Sequence, residues 1–194
     1  MKFIDPKTGQ AYYRKTRRRY DQVGQARELT FTCYRRYRFL ERDRVRNWFI
    51  EALAEARTTE QFDLWAFVIM PEHVHFLIYP KAGDGSVSNI LKAIKEPVAR
   101  RAIEFLKENA PRWLSRLRVV ESTRVRYRFW QPGAGYDRNI IEIGTVLMAI
   151  EYIHANPVRR RLVQSAVDWE WSSARWYAGM HPVKLEIDRS IPAY

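Results

Sequence analysis

Between residues 27 and 35 apolar and polar side chains alternate, with Leu29, Phe31 and Cys33 set against Thr30, Thr32 and Tyr34. That period of two, in β-favouring residue types, predicts a half-buried strand. Over residues 41–57 the period changes. Val45, Trp48, Phe49, Leu53 and Ala56 recur at helical spacing, so a helix follows. Residues 62–70 form an apolar and aromatic run that is short for a helix and reads as a buried strand. Pro71 and Glu72 make a turn, and residues 73–79 alternate again, so the two strands predict an antiparallel hairpin ended by Gly83, Asp84 and Gly85.

Ser86 or Ser88 can cap the next helix, which presents Ile90, Leu91, Ile94, Val98, Ile103 and Leu106 to a core; Pro97 inside it predicts a kink or a break. Residues 119–130 read as a further strand rich in Arg, Tyr and Trp, and Gly133 and Gly135 as a loose loop. Residues 139–156 are expected to form the last long helix, stopped by Pro157. A basic and then tryptophan-rich segment (Trp169, Trp171, Trp176) is expected to pack a short helix on the body.

The order β-α-β-β-α-β-α predicts an α+β protein. Its first six elements fit a ferredoxin-like (RRM-like) antiparallel sheet with helices on one face, followed by a late helix and a C-terminal appendage. Such a sheet leaves its other face free for a ligand, as in many nucleic-acid binders. Residues 1–26 read as a basic N-terminal arm, residues 27–177 as one folded domain, and residues 178–194 as a C-terminal tail.

Composition narrows the function classes. A chain of 194 residues that is 46% hydrophobic and 14% aromatic has the material for a real core. The net charge of +12 favours a polyanionic partner through steering and counterion release. With Cys33 as the lone cysteine, neither a disulfide framework nor a thiolate metal cluster can be built within the chain. No apolar run approaches a membrane span and the N-terminus lacks a signal-peptide core, so a cytoplasmic location without a membrane partner is the expectation.

Two places carry chemistry. In a strand, His73 and His75 share a face while Val74, Phe76 and Ile78 take the other, so two imidazoles can reach one metal ion. On the last helix Ile143, Val146, Leu147, Ile150 and Ile153 form an apolar stripe, with His154 in its middle as a core histidine. Tyr152 and Asn156, at i,i+4, are placed opposite that stripe. A phenol with a pKa near 10 is a weak nucleophile, but it serves when a cation neutralises charge developing on a phosphoryl group. Two histidines and one amide oxygen would leave metal positions open for phosphate and water. Imidazole by itself would also suit zinc. Arg17, Arg18 and Arg19 of the arm, Arg100, Arg101, Arg124, Arg126 and Arg128, and Arg159 and Arg160 are candidate DNA contacts, the aromatic-interleaved ones offering stacking platforms.

The stretch Val68-Ile-Met-Pro-Glu-His-Val-His-Phe-Leu-Ile78 resembles the metal-binding strand of the single-tyrosine HUH transposases. Tyr152-Ile-His-Ala-Asn-Pro-Val-Arg-Arg-Arg-Leu-Val163, followed by Trp169-Glu-Trp-Ser-Ser173, resembles the closing signature of their REP-associated tyrosine transposase branch. The resemblance implies His73 and His75 as ligands of Mg²⁺ or Mn²⁺, Asn156 as the third ligand, and Tyr152 as nucleophile. It further implies cleavage and rejoining of hairpin-forming single-stranded DNA through a 5′-phosphotyrosine, by a homodimer or a monomer. Family members commonly carry Asn where this chain has Glu72. Two alternatives stay open: a non-catalytic single-stranded nucleic-acid-binding module on an RRM-like sheet, and a plasmid replication-initiation nuclease.

Overall fold

The computed structural model describes residues 2–4, 11–13, 24–81, 86–121, 123–133 and 135–192. Two short strands, β1 (Lys2–Ile4) and β2 (Ala11–Tyr13), pair antiparallel with each other. Arg17, Arg18 and Arg19, and the predicted hairpin end at Gly83, Asp84 and Gly85, lie outside the described residues.

The alternating segment becomes β3 (Ala26–Thr32), and the helical pattern after it becomes α1 (Asp43–Thr59). The apolar run and its partner become β4 (Phe62–Ile69) and β5 (His73–Pro80), joined by the short turn through Pro71 and Glu72. Next comes α2 (Val87–Asn109), whose N-cap Ser86 accepts the backbone N–H of Ser88. Pro97 does not divide it. The missing N–H costs one helical bond, but Ile90, Leu91 and Ile94 before the proline and Val98 and Ala102 after it are all buried in one core, which holds both halves in line.

The predicted strand over residues 119–130 is corrected. After α3 (Pro111–Leu117) the chain folds into β6 (Arg118–Glu121) and β7 (Arg124–Tyr127), a two-stranded ribbon outside the main sheet. Its central pair, Val120 and Val125, is exposed, so its alternation buries no face. The fourth strand of the sheet is β8 (Tyr136–Ile140), in the segment expected to be a loose loop and the start of a helix. Gly135 enters β8 at φ +76° with its Cα so close to Thr30 that a Cβ would lie 1.9 Å from the Thr30 carbonyl oxygen. This is a tight approach of two backbones that only glycine permits. The polar residues of β8 are held by buried Arg27, whose guanidinium donates twice to Asp137 (3.1 and 3.0 Å) and once to Asn139 (2.6 Å).

The sheet order is β4-β5-β3-β8, antiparallel throughout. With α1 between β3 and β4 and α2 after β5, this is an α+β architecture compatible with the split βαβ pattern. Leu29, Phe31, Phe67, Val74, Phe76 and Ile78 pack on one face beneath α1 and α2. The second face is not open, as the sequence suggested. A register shift between Leu64 and Ala66 turns both Trp65 and Ala66 to that face. There they join Val68, Leu77 and Ile140 under α4 (Ile143–Arg159) through Val146, Ala149, Ile150 and Ile153.

Helix α4 runs through Pro157 instead of stopping before it, and Leu147 is exposed while Ala149 and Asn156 are buried. The buried stripe is thus rotated from the predicted one. Beyond α4, residues 171–173 lie along the edge of β4: Ile69 N–H donates to the Trp171 carbonyl (2.8 Å) and Ser173 N–H to the Phe67 carbonyl (3.0 Å). The short helix expected there is α5 (Ala174–Tyr177). No helix among the described residues is long and apolar enough to cross a membrane.

Candidate active site

Strand geometry sets the first half of the site. Val74, Phe76 and Ile78 enter the core under α1 and α2, so His73 and His75 are turned to the face that α4 covers. Their register partners on β3 are Thr32 and Thr30. The Nε2 atoms of the two histidines stand 2.9 Å apart. Two ligands held about 2.1 Å from one octahedral cation at a right angle are separated by about 3 Å, so the imidazoles are spaced as adjacent ligands.

The other ring nitrogens are engaged. Glu72 Oε1 lies 3.2 Å from His73 Nδ1, and Thr30 Oγ1 lies 2.7 Å from His75 Nδ1. A carboxylate only accepts, which assigns the proton of His73 to Nδ1 and leaves its Nε2 with a free lone pair. The threonine hydroxyl can donate or accept. When it accepts from Nδ1–H, both Nε2 lone pairs converge on one point, an arrangement that calls for a cation. When it donates, His75 Nε2–H is free to bond His73. Second-sphere partners of this kind orient the rings of metal-binding histidines. Glu72 is itself fixed, because its carbonyl accepts Cys33 N–H (2.8 Å) and its carboxylate accepts Arg160 Nη1 (2.9 Å).

Burial lowers the pKa of His73, against the raising influence of Glu72. Burial, with His73 as neighbour, holds His75 down at about 3. Both rings are therefore neutral near pH 7, the form in which imidazole binds metal. Burial opposes the charged form of Glu72, but His73 and Arg160 together keep its carboxyl below the usual range.

Helix α4 provides the second half. The ring of Tyr152 meets that of His75 edge-on, with centroids 5.8 Å apart at 89°, and the Arg159 guanidinium lies 5.1 Å from the centre of the tyrosine ring. Tyr152 is 41% exposed, so a large substrate can reach its hydroxyl. Asn156 is buried, unlike the exposed position the sequence suggested. Its amide nitrogen donates to the carbonyls of Tyr152 (2.8 Å) and Ile153 (3.4 Å). Pro157 has no N–H to give to Ile153, so the asparagine side chain reaches a carbonyl that the proline frees. Since carbonyls only accept, this assigns the amide orientation and leaves Asn156 Oδ1 as the acceptor available to a ligand.

Among the described residues there is no group of three or more His, Cys, Asp or Glu side chains able to hold a metal. A divalent ion here would find two imidazole nitrogens spaced as adjacent ligands, with its other positions open to further oxygen donors, phosphate and water. The donor set fits that use.

His154 is half-buried, with Nε2 2.8 Å from Ser173 Oγ and its ring beside Tyr177. Burial holds its pKa down at about 4.

The proposed DNA contacts divide. Arg159 and Arg160 border the site, and Arg160 is also the partner of Glu72. Arg100 and Arg101 sit on α2, on the opposite side of the sheet, where Arg101 pairs with Glu51. Arg124, Arg126 and Arg128 belong to the β6–β7 ribbon and its exit, and Glu121 pairs with Arg126 (3.6 Å) and Arg128. Residues that sequence reasoning did not single out for the site are Thr30, Glu72 and Arg36, the last of which bears electrostatically on His73. Their positions follow from strand register and a loop crossing, which no local pattern encodes.

The histidine pair thus lies on the sheet face that the tyrosine helix covers. Residues 26–156 match the family described as "Transposase IS200 like", and the chain belongs to that family. A Haemophilus influenzae protein described as a candidate REP-associated tyrosine transposase is 24% identical over 138 residues, spanning 68% of this chain and 73% of that protein. In fold, the chain is similar to a REP-associated tyrosine transposase solved bound to a REP hairpin. That likeness has a TM-score of 0.66 at 20% identity and covers 93% of this chain and 98% of the other.

Proposed function

We propose that this protein cleaves and rejoins single-stranded DNA beside a hairpin, with Tyr152 as nucleophile and Mg²⁺ or Mn²⁺ held by His73, His75 and Asn156. The observation that carries this reading is the convergence of the two Nε2 atoms, 2.9 Å apart, beside the ring of Tyr152. The hairpin is suggested by the REP hairpin bound in the structural neighbour and by the name of the Haemophilus influenzae relative.

In this mechanism Tyr152 Oη attacks the scissile phosphorus. The phenol proton is lost as the oxygen–phosphorus bond forms. The bond from phosphorus to the 3′ oxygen breaks, that oxygen takes up a proton, and a 5′-phosphotyrosine and a free 3′-OH result with no net change in protons. A bound divalent ion would neutralise charge developing on the phosphoryl oxygens. Asn156 fixes the carbonyl end of the Tyr152 residue, Arg159 lies over its ring, and Glu72 and Thr30 hold the imidazoles in place. The phosphotyrosine conserves the energy of the broken bond, so a 3′-OH can reverse the attack and rejoin strands. Tyr152 lies beside His75 of the same chain, which supports a site complete within one protomer.

The test is incubation of labelled hairpin DNA carrying single-stranded flanks with the protein and Mn²⁺ or Mg²⁺. A covalent protein–DNA adduct is expected from the wild type, and none from Tyr152→Phe or His73→Ala. An adduct that survives Tyr152→Phe, or a wild type silent on varied hairpins, overturns the reading.

A further inference from the structure

A second concave surface lies around the corner from the histidine pair, at the same end of the sheet. The turn Phe39–Glu41, the first turns of α1, the last turns of α2 and the start of α3 enclose a cleft of about 410 Å³. Its walls include Phe39, Trp48, Phe105, Trp113 and Phe129. Phe39 stacks on Phe129 with centroids 5.1 Å apart and meets Trp113 edge-on at 5.8 Å, while Trp113 remains 40% exposed.

Guanidinium groups stand over three of these rings: Arg44 at 4.1 Å from Phe105, Arg116 at 4.5 Å from Trp113 and Arg101 at 5.1 Å from Trp48. Glu41, the one acidic lining residue, is paired with Arg38 at 3.0 Å. We infer that this cleft takes an unpaired nucleobase of the DNA strand engaged at the histidine pair, an inference that rests on the strand-transfer reading above.

The chemistry of the cleft selects that occupant. Its flat rings offer π-faces, which stack with any base, and its rim is cationic, which suits a sugar-phosphate backbone entering and leaving. Arg101 is already paired with Glu51, and an apolar peptide segment would use the rings but bring no anion to Arg44 or Arg116. Continuity points the same way. Cys33 N–H donates to the carbonyl of Glu72, the neighbour of His73, at 2.8 Å, and the next residue, Tyr34, donates to the carbonyl of Phe129, which lines the cleft. Arg35 and Arg36 are both held in the left-handed region, with φ of 52° and 56°, in a loop pinned by Tyr34 N–H to the Phe129 carbonyl (2.7 Å). Non-glycine residues are rarely held so, and both arginines are exposed in the loop that joins the end of β3 to the cleft.

The experiment uses a single strand with 5-iododeoxyuridine scanned through its unpaired positions, bound to Tyr152→Phe protein so that no cleavage intervenes. Photocrosslinking is expected at Trp113 from one or two adjacent positions, and not from a fully paired duplex. Trp113→Ala is expected to weaken single-strand binding by about fivefold to a hundredfold, the range of one base–aromatic stack, with duplex binding unchanged. Trp113→Phe keeps a ring and should retain most of the affinity, which separates stacking from a folding defect.

Crosslinks confined to other residues, equal crosslinking of duplex, or unchanged single-strand affinity in Trp113→Ala overturns the inference. A Trp113 crosslink in a protein whose wild type forms no adduct would sink strand transfer and leave the cleft standing. Adduct formation with an indifferent Trp113→Ala would do the reverse.

Discussion

The side-chain amide of Asn156 is hydrogen-bonded to the backbone carbonyl of Tyr152, 2.8 Å away and one helical turn back. The residue proposed as third ligand therefore also supports the residue proposed as nucleophile. The same amide also reaches the Ile153 carbonyl at 3.4 Å, which Pro157 leaves without its helical N–H.

Asn156→Asp separates the two roles. A carboxylate can bind a cation but cannot donate to carbonyls, and it adds negative charge near the negative end of α4. With chelator present, Asn156→Asp should lose about 1–3 kcal/mol of stability, more than Asn156→Ala, by chemical denaturation. Equal stability of Asp and wild type would refute the assigned amide orientation.

Metal affinity should depend on groups that never touch the metal. Thr30→Val removes the partner of His75 Nδ1, and Glu72→Gln removes the charge beside His73 Nδ1. Each is expected to weaken Mn²⁺ binding by about 10–100-fold in titration calorimetry without DNA. Unchanged affinity in both variants would mean that the histidine pair is not the ion's seat.

Acid should destabilise the metal-free protein by a defined route. His154 and His75 are held neutral, with pKa values of about 4 and about 3, whereas an unfolded histidine takes up its proton near 6.5. The unfolded chain therefore binds more protons below pH 6.5. The stability present above that value is lost progressively as pH falls through 4 towards 3. For His154 the loss is of the order of 3 kcal/mol at most. His154→Gln, whose amide can still bond Ser173, should flatten the melting-temperature profile between pH 6.5 and 4. A slope as steep as wild type's would remove His154 from the cause.

The charge surplus should act through the residues beside the histidine pair and the aromatic cleft, not through the whole surface. Arg36→Asn keeps a residue tolerant of left-handed backbone and removes a charge near His73, so it should reduce the salt slope of DNA binding by about 1. Arg100→Ala, on α2 but outside the lining of the aromatic cleft, should leave both affinity and slope unchanged. Filter-binding titrations across salt concentrations decide it, and equal effects would indicate diffuse attraction only.

What could be read in advance follows from how each element is stabilised. β3, β4 and β5 and helices α1 and α2 bury regular apolar faces, so their period shows in the residues themselves. β8 does not show it. Of Tyr136–Ile140 only Ile140 is buried, and Asp137 and Asn139 are held by Arg27, more than a hundred residues away. The valines of β6 and β7 mislead in the opposite direction, since a ribbon with no covered face still alternates.

The site divides in the same way. His73, His75 and Tyr152 stand out by type and spacing. Thr30 is an ordinary strand threonine until the register sets it against His75. Glu72 looked like a plain departure from an asparagine and proves to bond both His73 and Arg160.

The strap of residues 171–173 along β4 sets a timetable. Ser173 bonds Phe67, 106 positions earlier, and also meets His154 on the tyrosine helix. Contacts of such separation form late, after the chain closure that brings them together. During synthesis β3, β4 and β5, with the histidine pair, can assemble while α4 is still unclamped. The nucleophile's helix is locked against the sheet only once the ribosome has released the two tryptophans and two serines that follow it. Assembly thus runs from the seat of the proposed metal towards the residue proposed to attack, and the reactive half of the site is completed last.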